Sequence, residues 1–176
     1  MSPRSWWGGV RREHPPAVVV ESAGLPRGEK VLAHVQDGER WLLGTRVALV
    51  VVEPGQPPVR LPWEQVQAAD WDQEAGTLTV SEVGEYGRPR ATYVFALENP
   101  ALLLQLVRER VTASVVLQRG HLVSGKRGFK VIGRRSPEGG PITWMVEFDQ
   151  GIDPDDPVVS AATELALADA RGDVGE

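Results

Sequence analysis

One amphipathic helical segment, placed after a long run of strand-like sequence, most constrains how this chain can fold. Asn99 is a favourable N-cap, because its side-chain oxygen can accept a hydrogen bond from a first-turn N–H. Pro100 suits the first helical position, where no N–H donor is needed. Apolar residues then recur at i, i+4 spacing up to residue 118, before Gly120; they are Leu103, Leu104, Leu106, Val107, Val111 and Val115. The pattern predicts a helix that packs one face on a β-rich body and ends at Gly120.

Short strand patterns, separated by turn residues, make up the sequence before this helix. Alternating or continuous apolar runs predict strands at 29–36, 41–46, 48–53, 59–63, 66–72, 77–83 and 91–97, with a hairpin turn at Asp37-Gly38. The run 48–53 is apolar almost throughout, so we expect it to be central. Pro62 predicts that the strand at 59–63 is an edge strand or a bend. Strands of this length and spacing predict a small barrel or sandwich.

Seven short strands closed by one helix resemble the pleckstrin-homology (PH) superfold. The amino-acid sequences of several segments are also similar to those of bacterial PH-like families. These segments are Glu29-Lys-Val-Leu-Ala, Trp41-Leu-Leu-Gly-Thr-Arg-Val-Ala-Leu-Val-Val, Leu61-Pro-Trp-Glu-Gln-Val-Gln, Gly76-Thr-Leu-Thr-Val and Val94-Phe-Ala-Leu-Glu-Asn-Pro. The resemblance covers about residues 28–118. It implies a PH-like barrel or sandwich and a tendency to self-associate, while such folds serve unrelated functions.

The sequence on either side of this body predicts two further units. Residues 1–27 are rich in Pro and Gly and predict an irregular N-terminal arm, with a strand pattern only at 17–21. Residues 119–176 predict a β-hairpin, from strands at 128–135 and 142–148, and a helix at 158–170 begun by Asp156 and Pro157. The helix's expected buried face holds Val158, Ala161, Ala162, Leu165 and Ala168 or Asp169. We therefore expect an α+β fold in which hairpin and helix pack on the PH-like body.

Charge is distributed unevenly along a chain whose net charge is −5. Residues 118–137 carry six basic side chains and no acid, residues 1–12 carry three, and residues 138–176 carry ten acids against one Arg. The two basic segments, with two adjacent Trp, form the candidate interaction surface: Arg119, Lys126, Arg127, Lys130, Arg134, Arg135, Trp6 and Trp7. Nucleic-acid phosphate, an acidic protein or the chain's own acidic tail can each satisfy such a surface.

Motifs that would indicate catalysis are incomplete. Residues 120–127 nearly match the phosphate-loop motif G-x-x-x-x-G-K-[ST], but Arg127 stands where the motif has Ser or Thr. The segment also follows a predicted helix, whereas a phosphate loop precedes one. We interpret it as a Gly-rich linker. The three His are isolated, and there is no Cys. Asp153, Asp155 and Asp156 fit a turn and a helix start. We expect no catalytic residue, metal or cofactor.

These features together favour a non-catalytic module for protein–protein interaction or self-assembly in the cytoplasm. The first hairpin loop, 36–39, carries two acids, so phosphoinositide binding is not favoured. No apolar run approaches the roughly 18 residues of a membrane helix, and we expect no membrane insertion. The alternative is nucleic-acid or ribonucleoprotein binding through residues 119–135.

Overall fold

The computed structural model describes residues 14–84 and 91–175, and these form an α+β structure with three antiparallel sheets. The first element is a helix, α1 (Ala17–Ser22), where the sequence predicted a strand. The prediction rested on three consecutive Val, which favour a strand, and it is wrong. The amides of Val19 and Val20 donate to the Pro16 carbonyl, and Ala23 packs against the outer face of the first sheet. This packing outweighs the local preference.

The first sheet contains β1 (Ala33–Asp37), β2 (Arg40–Gly44), β3 (Ala48–Val52) and β4 (Val59–Pro62), paired in that order. Strand β3 is buried along its whole length, because the core covers one face and the α1 region covers the other. Its predicted central position is confirmed, as is the edge position of β4. The β1–β2 turn has Gly38 in the left-handed region, as the hairpin signal predicted.

The second sheet follows a 3-10 turn (Trp63–Gln65) and contains β5 (Val66–Asp72), β6 (Thr77–Glu82) and β7 (Thr92–Ala96). The buried indole of Trp63 donates to the Thr45 carbonyl at 3.1 Å and fixes the corner between the two sheets. One hydrophobic core lies between them. No ladder joins these sheets in the described residues, so they form an open arrangement and not the closed barrel that was one of the expectations.

The predicted long helix is α2 (Ala101–Ser114), which packs Leu103, Leu106 and Val107 into the shared core. Gly44 of β2 lets α2 approach closely, because a Cβ there would lie 2.6 Å from Leu106 Cδ2. Both predicted ends are wrong. Asn99 has φ 52° and lies outside the helix, whose N-cap is Pro100 with no side-chain cap.

Helix α2 ends at Ser114 because the next residues enter a strand that the sequence pattern did not predict. Strand β8 (Val115–Ser124) pairs with β9 (Arg127–Arg134), which pairs with β10 (Thr143–Phe148) to form the third sheet. The β9–β10 hairpin is confirmed. The segment interpreted as a Gly-rich linker is instead β8 and a tight turn with Gly125 at φ 60°. The predicted domain boundary at residue 118 falls inside β8.

The last helix, α3 (Pro157–Asp173), begins as predicted, with the Asp156 carboxylate accepting hydrogen bonds from the amides of Val158 and Val159. Its predicted buried face is wrong, since Val158 and Leu165 are exposed. The buried side chains are Val159, Ala166 and Ala170, and Phe129 and Val131 of β9 pack in the same cluster as Ala166 and Ala170. Apolar residues occupy both faces of α3, so their spacing alone left its orientation open. Among the described residues, no helix is long and apolar enough to cross a membrane.

Candidate functional site

A groove of about 710 Å³ runs between β5 and α2. Two features build it: β5 is the edge strand of the second sheet, and α2 packs next to β5. Apolar side chains from both elements line the groove, and they are Ala69, Trp71, Leu78, Leu104, Val107 and Val111. Leu78 and Val107 are buried, whereas the other four side chains are only partly buried. The groove therefore offers apolar surface along an open strand edge.

The hydrogen bonds of the neighbouring strand fix which backbone groups of β5 face this groove. Glu82 N–H of β6 donates to the Ala91 carbonyl on the β7 side at 3.0 Å. Backbone groups alternate direction along a strand, so the even-numbered residues of β6 face β7. Thr79, an odd-numbered residue, therefore faces β5, where its register partner is Asp70.

Asp70 consequently bonds to β6, and its neighbours Ala69 and Trp71 direct their N–H and C=O groups away from the sheet. Within the described part of the chain, no other strand or loop backbone pairs with these groups. An unpaired row of donors and acceptors is a template for an additional strand. Here the template lies at the wall of an apolar groove.

Polar residues surround the groove and leave it free of a dominant charge. Asp70 lies on the β5 side, and Arg108, Gln105 and Thr112 lie on the α2 side. Asp70 and Arg108 are both exposed. One carboxylate and one guanidinium on opposite rims favour a ligand that carries complementary charges at its edges and apolar side chains between them.

The structure separates the basic residues predicted as an interaction surface. Arg134 is only 6% exposed, so it cannot form part of an open surface. Its guanidinium donates to the Val111 carbonyl at 3.0 Å and to Ser114 Oγ at 2.9 Å, at the end of α2. Burial lowers the pKa of Arg134, and the nearby Glu147 carboxylate opposes that shift. Arg134 therefore joins the third sheet to α2.

Arg119 lies on β8 and forms an ion pair with Asp173 near the end of α3. For Arg119, the partner is therefore the chain's own acidic tail, which was one of the alternatives that the sequence left open. Lys126 and Arg127 are exposed at the β8–β9 turn, and Lys130 is exposed opposite Glu147 in the β9–β10 register. Arg135 is exposed beyond the other end of β9.

Four of the six basic residues are thus exposed and outside this ion pair, but they are spread along β9: Lys126 and Arg127 at its first end, Lys130 near its middle and Arg135 beyond its last residue. Trp6 and Trp7 lie outside the described residues. In the part of the chain that the structure describes, no three His, Asp or Glu residues form a group that could hold a metal ion.

The sequence predicts both elements of the groove but not the groove itself. The bounds of β5 were predicted correctly, and the apolar face of α2 included Leu104, Val107 and Val111. The signal it lacked was the strand order, because only the order β5-β6-β7 makes β5 an edge. Unlike β4, β5 contains no Pro that would indicate an edge, so its edge position follows only from long-range pairing.

Comparison with protein-family models, curated proteins and solved structures finds no significant match for this chain. Its function must therefore be argued from the geometry of its own residues.

Proposed function

We propose that this protein is a non-catalytic protein–protein interaction module that binds an extended peptide segment of a partner in the β5–α2 groove. The observation that carries the proposal is the outward direction of the Ala69 and Trp71 backbone groups beside an apolar wall. An added strand obtains its affinity from main-chain hydrogen bonds and its specificity from pockets for alternate side chains. The groove supplies both at the same place.

The proposal includes a PH-like fold for residues 28–118. Seven antiparallel strands in a four-stranded and a three-stranded sheet, followed by α2 across their shared core, support this assignment. The PH-like unit then ends near Ser114 and not at residue 118, because α2 ends at Ser114. A PH-like fold is compatible with many functions, so the groove and not the fold carries the functional argument.

The bound segment should run along β5 for the length of the free edge. Strands rise about 3.4 Å per residue, so the seven residues of β5 can accommodate a ligand of similar length. Side chains of alternate ligand residues would point toward Leu104, Val107 and Val111 of α2. We therefore expect ligands with apolar residues at every second position.

Nucleic-acid binding through residues 119–135 remains the alternative prediction. The accessible cations for it are Lys126, Arg127, Lys130 and Arg135, because Arg134 is buried and Arg119 is paired with Asp173. The length of β9 separates Arg135 from Lys126 and Arg127, and for this reason we favour the peptide site.

Selection from a library of displayed random peptides, followed by anisotropy titration of a synthetic selected peptide, tests the proposal. The informative variant is Ala69→Pro, which removes an outward N–H that the fold does not use. We expect it to remain folded and to weaken peptide binding by about tenfold or more.

The matched control is Ala68→Pro, since Ala68 pairs with Ser81 and directs its N–H toward β6. This variant should lose about 1–3 kcal/mol of unfolding free energy, because it breaks the β5–β6 ladder. If Ala69→Pro leaves the peptide affinity unchanged while the protein stays folded, strand addition at β5 is wrong.

A further inference from the structure

Strand β8 is a second free edge, and few of the features that normally block edge pairing protect it. It is ten residues long, contains no Pro, and carries one charged residue, Arg119, which is already paired with Asp173. Gln118, Arg119 and Gly120 are all exposed at the middle of the strand, although α3 packs on the face of the sheet that carries Arg119. Natural edge strands are usually short, charged or interrupted by Pro. An edge of this kind is suited to pairing with another strand.

The direction of the β8 backbone groups follows from β9. The Gly128 carbonyl of β9 accepts a hydrogen bond from Asp149 N–H on the β10 side, so the even-numbered residues of β9 face β10. Val131 therefore faces β8, where its register partner is Arg119. The residues on either side of Arg119, Gln118 and Gly120, must direct their backbone groups to the free edge, and so must Leu122.

We propose that two copies of this chain associate through antiparallel pairing of β8 with β8, with Gly120 at the two-fold axis. The outward-facing residues Gln118, Gly120 and Leu122 are symmetric about Gly120. Gly120 then pairs with itself, and Gln118 pairs with Leu122 of the second copy. These pairs make six backbone hydrogen bonds, and the same patch serves both copies, as a two-fold interface requires.

Side chains in this register are compatible with pairing. Gly120 has no side chain to collide at the axis, and a Cβ added there would meet nothing within 4 Å in one copy. Leu122, which is 74% exposed in one copy, would be covered by Gln118 of the second. Arg119 would lie opposite His121 of the other copy and would not meet a second Arg. Pairing would produce one six-stranded sheet from the two three-stranded sheets.

The size of this seam predicts a modest affinity. Three paired residues on each strand bury less than the roughly 800 Å² per partner that is typical of stable complexes. We therefore expect a dimer that dissociates on dilution, with a dissociation constant in the micromolar range. The inference rests on the interaction role proposed above but uses a different edge of the molecule, so the two can fail separately.

Light scattering after size exclusion should give a mass near twice 19.2 kDa at high concentration and a fall toward one chain on dilution. Gly120→Pro removes an outward donor from each copy, and it should weaken dimerisation by about tenfold or more. Gly120→Ala keeps the N–H and should dimerise like the wild type. Both variants should still bind the selected peptide in the β5 groove.

Disulfide trapping provides a second readout, because the chain contains no Cys. Gly120→Cys should form a covalent dimer under mild oxidation, since paired Cα atoms at the axis lie about 5.5 Å apart. Ser124→Cys is the control, because the two copies of residue 124 would lie about 27 Å apart at the usual strand rise. A wild-type mass of one chain at every concentration, or equal trapping at residues 120 and 124, would overturn the β8 interface.

Discussion

Arg134 Nη1 donates a hydrogen bond to Ser114 Oγ at 2.9 Å, and this contact joins the end of α2 to the third sheet. The same guanidinium nitrogen donates to the Val111 carbonyl, which also accepts from Ser114 Oγ at 2.7 Å. A backbone bond from Arg135 N–H to the Ser114 carbonyl reinforces the joint. The third sheet is therefore attached to the body by a buried polar network.

The network predicts energetic coupling between Arg134 and Ser114. Arg134→Met leaves two acceptors at the end of α2 without their charged donor and should cost about 1–3 kcal/mol of unfolding free energy. Ser114→Ala removes the shared hydroxyl. Urea unfolding of both single variants and the double variant should give a coupling energy of about 0.5–3 kcal/mol. Simple additivity of the two changes would show that the contact does not hold the joint.

Two adjacent leucines of α2 give a matched test of the core. Leu103 is 1% exposed and Leu102 is 64% exposed, so the two sites differ in burial but not in residue type. Leu103→Ala should lower the unfolding free energy by about 2–5 kcal/mol through lost burial and a cavity. Leu102→Ala should change it by about 0.5 kcal/mol or less. Similar losses measured by urea unfolding would mean that α2 does not close the core as described.

Local pattern predicted much of the fold because it records which side chains are apolar and where turns occur. The bounds of β5 and the start of α3 at Asp156 followed directly from alternation and capping. The strand β8 could not be found in this way, because Val115 and its neighbours continue the helical spacing of α2. Their pairing with β9, which is a long-range contact, decides their conformation.

The candidate site was harder to predict than the fold, for a related reason. Arg134 belongs to a continuous basic run in the sequence, yet the structure buries it against Ser114. The backbone groups of Ala69 and Trp71 carry the proposed site, and backbone groups have no signature in the sequence. Their availability depends on the order of strands in the second sheet.

The basic residues that remain exposed make the nucleic-acid alternative testable. If Lys126, Arg127, Lys130 and Arg135 bound phosphates, affinity would fall steeply with salt through counterion release. We expect instead no measurable binding of single- or double-stranded nucleic acid at about 50 mM salt. Changing all four residues to Gln should leave the fold intact, because exposed charges contribute little to stability.

Tight binding at low salt with a steep salt slope, abolished by the fourfold change, would favour nucleic-acid binding over peptide binding as the function.

An Arg119→Gln variant, assayed by limited proteolysis, reports on the Arg119–Asp173 pair alone. It should loosen the end of α3 only slightly, since an exposed ion pair contributes about 0–1 kcal/mol.

Amide hydrogen exchange, followed residue by residue with and without a selected peptide, tests strand addition at β5 most directly. In the free protein the Ala69 and Trp71 amides should exchange rapidly and the Asp70 amide slowly. Of these three residues, only Asp70 directs its N–H toward β6. Peptide binding should protect Ala69 and Trp71 and leave Asp70 unchanged. Protection confined to other segments, with Ala69 and Trp71 still exchanging rapidly in the complex, would contradict the proposed peptide site.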